Sequence, residues 1–187
     1  MNDYQVYSRD WVSDLYRRGK RSKYVFFWGH KSNVRGDITK ACSSQWWPCR
    51  FTVKDEIFVS AEHWMMAEKA RLFKADDIRK KILSTKKPGA AKALGRQILD
   101  FDAEVWDENK YDIVVKGNFH KFSQNPKLKQ FLIGTGKRVL VEASPVDKIW
   151  GIGLAQDDKH SSNPLMWKGQ NLLGFALMST RDLLIQK

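Results

Sequence analysis

Seven residues separate Glu62 from Lys69 in the segment Ser60-Ala61-Glu62-His63-Trp64-Met65-Met66-Ala67-Glu68-Lys69-Ala70-Arg71-Leu72-Phe73. At helical pitch that spacing returns Lys69 to within about 20° of Glu62, two turns along. Met65, Met66 and Phe73 flank the same azimuth, while Glu68 and Arg71 fall on the opposite side as a solvated face. A carboxylate and an amine on the apolar side of a helix are costly unless paired, and burial shifts their pKa values. Such groups serve as acids, bases or nucleophilic amines near neutral pH. A buried structural ion pair between them is the competing reading.

A second group of candidates lies in a long glycine-containing stretch from Ser144 to Gly169. It holds Asp147, Trp150, Gly151 and Gly153, and is followed by Gly169, Gln170, Asn171 and Gly174. Irregular stretches of this length are uncommon in a compact domain and are usually functional or disordered. Tryptophan and paired glycines argue against disorder here. Glycine lets backbone approach a ligand, an indole offers a plate for a base or ring, and Asn171 stands at the start of a helix, where anions bind. Gly151-Ile152-Gly153 lacks the third glycine and the βαβ setting of a dinucleotide fingerprint. Packing by structural glycines is the alternative reading of the stretch.

The elements that must hold these residues are mostly helices. Tyr24-Val25-Phe26-Phe27-Trp28 reads as a strand ended by Gly29, and residues 29–50 as loop, with Asn33, Gly36, Asp37 and Pro48. Phe51-Thr52-Val53 and Ile57-Phe58-Val59 suit a hairpin, after which Ser60 caps the Glu62 helix. Further helices are expected from Asp76, from a Pro88 start through Ala90 to Ile98, from Glu104 to Phe122, from Pro126 to Ile133 and from Asn171 to Leu184. Residues 138–143 read as a strand. The expected fold is α+β, mainly helical, one domain with a small β-sheet over residues 23–187. Residues 1–22 form a basic N-terminal leader with one helix around Trp11–Tyr16.

Composition narrows the function classes. A length of 187 residues with 42% hydrophobic content, including eight Trp and ten Phe, supports a real core and excludes disorder. No run reaches the roughly 20 apolar residues of a membrane span, and the N-terminus lacks a signal pattern. Two cysteines, Cys42 and Cys49, fit a reducing, cytoplasmic setting better than a disulfide scaffold. The four histidines show no metal-ligand spacing, so no metal site is expected. The net charge of +12 favours anionic partners such as nucleotides, nucleic acid or phosphorylated metabolites. Its densest cluster is Arg17-Arg18-Gly19-Lys20-Arg21, which also reads as a solvated tail.

Several collinear motifs resemble the YbiA-like family, also called the NADAR superfamily, over about residues 24–184. They are Phe26-Phe27-Trp28; Ser44-Gln45-Trp46-Trp47-Pro48; the helix from Ser60 to Ala70; Ala93-Leu94-Gly95-Arg96; Lys121-Phe122; Leu140-Val141-Glu142; Asp147-Lys148-Ile149-Trp150-Gly151; and Gly169-Gln170-Asn171-Leu172-Leu173-Gly174, followed by Leu177-Met178 and Arg181. The chain departs from the family pattern at Gln45 (usually Asn), Trp46 (usually Phe) and Glu68 (often Gln).

The resemblance implies an N-glycosidase, a hydrolase that cleaves the bond between ribose C1′ and a nitrogen. The substrates it implies are ribosylamino-pyrimidine phosphates of riboflavin synthesis or ADP-ribose carried on guanine, in a nucleobase or nucleic acid. Such cleavage builds positive charge on the ribose, so a carboxylate assists and a second group protonates the leaving nitrogen. Glu62, Lys69 and Asp147 are then the catalytic candidates, with Lys69 also able to attack C1′ and form a Schiff base. Trp28, Trp46, Arg96, Trp150, Gly151, Gly169 and Asn171 are the substrate-binding candidates. No metal or organic cofactor is needed. The alternative is a non-catalytic module that binds ADP-ribose or nucleic acid, which would leave Glu62, Lys69 and Asp147 without a shared purpose.

Overall fold

The structure, a computed structural model, describes residues 4–30 and 37–186. The first three leader residues, and Asn33 and Gly36 of the expected 29–50 loop, lie outside them. The fold is α+β and mainly helical, with seven helices and four short strands among the described residues. Cα packing divides it into two compact units, one made of Met1–Ser44 with Lys127–Lys187 and the other of Gln45–Pro126.

The first unit contains α1 (Arg9–Arg17), β1 (Tyr24–Phe27), α6 (Pro126–Gly134, from Lys127 on), β4 (Val139–Glu142) and α7 (Leu172–Gln186). β1 and β4 pair in parallel, with Tyr24 opposite Val139 and Phe27 opposite Glu142. β4 reads Val-Leu-Val, with all three side chains buried, because α7 covers the strand. Gly174 makes that close approach feasible: a Cβ there would stand 2.1 Å from the Leu140 carbonyl oxygen. α1 is anchored rather than loose. Ser8 caps it, Val12 is fully buried, and Tyr7 Oη donates to Asp182 Oδ2 at 2.5 Å.

The second unit holds the hairpin β2 (Phe51–Val53) and β3 (Glu56–Phe58), then α2 (Ala61–Leu72), α3 (Asp76–Ser84), α4 (Pro88–Gly95) and α5 (Ala103–Ser123). The hairpin pairs Phe51 with Phe58 across its ladder, their rings 5.5 Å apart, and turns through Lys54 and Asp55 at positive φ. α2 is the central element, packed by α3, α4 and α5. Nine of its twelve residues are buried, so it has no solvated face. This corrects the amphipathic reading: Glu68 is 8% exposed, and its Oε2 accepts from Arg71 Nε at 2.9 Å and Nη2 at 2.7 Å. An ion pair at i,i+3 lets one carboxylate be buried beside a helix whose periodicity alone places it in water.

α5 reaches α2 through a glycine. Trp64 Nε1 donates to the Ile113 carbonyl at 2.8 Å, and a Cβ on Gly117 would stand 2.2 Å from Trp64 Cδ1. The helix expected to start at Pro88 and run to Ile98 does start there but ends at Gly95, with Arg96 as its cap. Proline at its first position suits that start, since a first-turn N–H has no helical partner.

Candidate active site

Glu62 sits in the first turn of α2, 2% exposed, in the N-terminal field that favours a carboxylate. The turn is built by Ser60, whose Oγ accepts from His63 N and lies 2.7 Å from His63 Nδ1. The Glu62 amide donates to the Gln45 carbonyl at 2.9 Å, tying α2 to the segment that precedes β2. The Gln45 side chain accepts from Asn118 Nδ2 at 2.9 Å, and Asn118 also donates to the Val114 carbonyl. Gln45 and Asn118 are both buried, so a polar cluster from three segments surrounds the start of α2.

Two turns along α2, Lys69 donates from Nζ to the Gly95 carbonyl at 3.1 Å. The same nitrogen lies 4.1 Å from the Phe101 ring centre and 5.6 Å from that of Trp106. Phe73 meets Phe101 edge to face at 5.2 Å, completing an aromatic wall. Among the described residues Lys69 forms no ion pair with any carboxylate. The structural ion pair with Glu62 is therefore not formed. Burial pushes the Lys69 amine below its ordinary range, and the nearby Arg96 charge adds to that depression. Arg96 itself is exposed at the end of α4. Trp46, half-buried, lies over α4, 3.3 Å from where a Cβ on Gly89 would stand.

The loop candidates belong to the other unit. Asp147 Oδ1 accepts from the amides of Ile149 at 2.9 Å and Trp150 at 2.8 Å, an Asx turn that shapes the loop. The chain from Lys148 to Ile152 then zips against Lys168–Leu173. Lys168 N donates to Ile152 O, Gln170 N to Lys148 O, Asn171 N to Gly151 O, Leu172 N to Ile149 O and Leu173 N to Trp150 O. Gly151 and Gly169 permit this contact, since a Cβ on Gly169 would stand 2.3 Å from the Gly151 carbonyl oxygen.

These bonds count against the anion-site reading of the α7 N-terminus, because the Asn171, Leu172 and Leu173 amides already donate to loop carbonyls. Asn171, fully buried at φ +57°, uses its side chain on β4: Oδ1 accepts from Glu142 N and Nδ2 donates to Leu140 O, both at 2.9 Å. Its position holds Gly151 and Gly169 together and leaves no open polar edge for a ligand. Trp150 is half-buried. Trp28 is 60% exposed and, with Lys40, Ala143 and Gln156, lines a cavity of about 350 Å³. Thus the structure gathers Glu62, Lys69, Trp46 and Arg96 on one unit, and Asp147, Trp150, Gly151, Gly169, Asn171 and Trp28 on the other.

Comparison with known proteins identifies the family. The NADAR domain family model matches residues 26–185. The chain belongs to the NADAR family. It is 46% identical over 165 residues to an N-glycosidase of Acanthamoeba polyphaga mimivirus, covering 86% of this chain and 95% of that protein. It is 29% identical to the N-glycosidase YbiA of Escherichia coli, covering 73% of this chain and 75% of YbiA. The NMR structure of E. coli YbiA superposes with a TM-score of 0.68 at 23% identity, covering 89% and 87% of the two chains, and shares the fold. A NADAR relative in Arabidopsis thaliana, 36% identical over 58% of this chain and 17% of its own length, is a riboflavin biosynthesis protein.

Three buried polar residues have no role in the sequence reading, although two of them, His63 and Lys121, stand within its motifs. His63, Asn118 and Lys121 are each no more than 2% exposed. His63 adjoins Glu62 in the motif helix, and Asn118, one turn before Lys121 on α5, falls within a helical pattern read for its apolar positions. Among the described residues no group of three or more His, Cys, Asp or Glu could hold a metal ion, and no helix is long and apolar enough to cross a membrane.

Proposed function

We propose that this N-glycosidase cleaves the bond between ribose C1′ and a nitrogen with Lys69 and Glu62 as its reacting groups. The observation that carries the reading is the state of Lys69: an amine depressed by burial, held by a carbonyl and aromatic faces, with no carboxylate neutralising it among the described residues. A larger neutral fraction at working pH makes an amine nucleophilic. In the covalent route Nζ attacks C1′, the C1′–N bond breaks with its electron pair leaving on nitrogen, and a proton transfers to that nitrogen. The sugar ring opens to an imine on Nζ as its ring oxygen takes a proton. Water then hydrolyses the imine and returns the free amine.

Glu62 serves this sequence as the carboxylate that stabilises positive charge at C1′ or orders the ribose hydroxyls. Asp147 and Trp150 contribute to turnover through the loop they shape, and Trp28 offers an exposed indole face to a ring. Arg96 supplies a cation for a phosphate. Asn171 enters as a positioning residue that ties the Gly151 carbonyl, through its amide, to β4, through its side chain. The substrate class is a phosphorylated ribosyl compound, either a ribosylamino-pyrimidine phosphate of the riboflavin pathway or ADP-ribose on guanine, and the working compartment is the cytoplasm. Residues 23–187 make up the catalytic domain.

Incubating the protein with each substrate class and following free base and free sugar by mass spectrometry tests the proposal. Release from one class, abolished in Glu62→Gln, supports it. No release from either class contradicts it.

A further inference from the structure

We infer that the first unit carries a groove for the phosphodiester backbone of a nucleic acid, built where two turns meet at the start of the β1–β4 pair. α1 ends at Arg17, and Gly19, at φ +72°, reverses the chain: Gly19 N donates to Tyr16 O and Lys20 N to Leu15 O. The chain then enters β1 past Lys20, Arg21 and Lys23. On the other side α6 ends at Gly134, and Gly136, at φ +57°, turns the chain past Lys137 and Arg138 into β4. Parallel pairing fixes the two turns side by side, since Val139 N donates to Lys23 O at 2.9 Å.

Between them lies a cavity of about 700 Å³, lined by Lys20, Arg21, Lys23, Lys137 and Arg138 and, among the described residues, by no acidic one. All five cations are exposed. A second cavity of about 850 Å³ shares Gly134, Thr135 and Arg138 with the first and extends it to Lys40 and Lys127, with Asp37 its one acid. The positive strip is therefore continuous across both.

The turn beneath is held by a set of side-chain hydrogen bonds. Arg138 donates from Nε to Thr135 O at 2.8 Å and from Nη2 to Gly134 O at 2.6 Å. From below, Arg181, 3% exposed, donates from Nη1 to Thr135 Oγ1 and to Arg138 O, both at 2.9 Å. Arg181, its charge partly offset by Asp182 at 4.0 Å, serves here as the anchor of the turn rather than as part of the exposed row of cations. Net charge alone favours diffuse anion attraction, but seven cations along two joined cavities give it a track. Such a backbone contact is independent of sequence, and the inference stands apart from the glycosidase reading because it uses neither Lys69 nor Glu62.

The test is fluorescence anisotropy of a labelled 12-nucleotide oligo-dT titrated with the full chain between 50 and 200 mM salt. Two variants are compared with wild type: Lys20→Gln/Arg21→Gln/Lys137→Gln in the groove, and Lys54→Gln/Lys86→Gln/Lys116→Gln, which removes the same charge from exposed positions on the other unit. Arg138 is left intact because it holds the turn. The groove variant is expected to lower the slope of log affinity against log salt by about two, at about 0.7 per phosphate contact on a single strand. The control variant is expected to bind as wild type does. Equal losses in both variants, no loss in the groove variant, or groove-dependent binding to phosphatidylserine vesicles as tight as to oligo-dT would each overturn the inference.

Discussion

Lys69 Nζ donates to the Gly95 carbonyl oxygen at 3.1 Å, and this bond, not an ion pair with Glu62, fixes the amine on α2. A carbonyl neutralises no charge, so burial and the Arg96 charge decide the direction in which the amine titrates.

Linkage gives that direction a sign. With its folded pKa below the ordinary 10.5, Lys69 binds a proton less readily in the folded chain than in the unfolded one. Its contribution to stability is fully present above pH 10.5 and is lost as pH falls through the folded value. Chemical unfolding of wild type and Lys69→Met across pH 7 to 10.5 is therefore expected to show wild type gaining on the variant as pH rises. A constant difference would mean that the amine is not depressed.

His63 titrates by the same logic in acid. Burial lowers its pKa below 6.5, with the backbone of Thr85 opposing in part. The folded state then keeps this contribution above pH 6.5 and loses it as pH falls through the depressed value. Thermal melts of His63→Gln are expected to lose less stability than wild type between pH 6.5 and 5. Parallel losses would place the acid sensitivity elsewhere.

Gly117→Ala is expected to destabilise the protein by about 1–3 kcal/mol in urea unfolding, because the added methyl must displace a buried indole. Trp64 cannot yield freely, since its Nε1 is bonded to the Ile113 carbonyl.

Asp147→Asn separates shaping from charge. Asparagine keeps an acceptor oxygen for the amides of Ile149 and Trp150, so the variant is expected to melt within a few degrees of wild type. If the negative charge assists catalysis, its turnover falls by about 10²-fold or more. Unchanged turnover would leave Asp147 a loop-forming residue.

Much of the fold is legible in the chain because local signals and burial agree. The aromatic run of β1, the Phe51–Val53 strand, the Ser60 cap and the Asp76 and Pro126 helix starts are each marked by residue type within a few positions. The family is legible too, through motifs spread from Phe26 to Arg181. Glu68 was not, because helical periodicity assumes one wet face and α2 is enclosed by three helices. Asn171 was not, because a residue at a helix start looks open in sequence, whereas the Lys148–Gly151 carbonyls fold back onto those amides. Both failures concern what a distant segment brings to the residue, which spacing along one element does not encode.

Borohydride trapping at Lys69 tests the central claim most directly. Wild type and Lys69→Arg are reacted with an N-ribosyl substrate in the presence of borohydride and digested for peptide mass spectrometry. The account predicts a reduced sugar adduct on the Lys69 peptide of wild type, and a folded Lys69→Arg variant with neither adduct nor turnover, since a guanidinium forms no Schiff base and is a poor proton donor. A Lys69→Arg variant that releases base at the wild-type rate would contradict it.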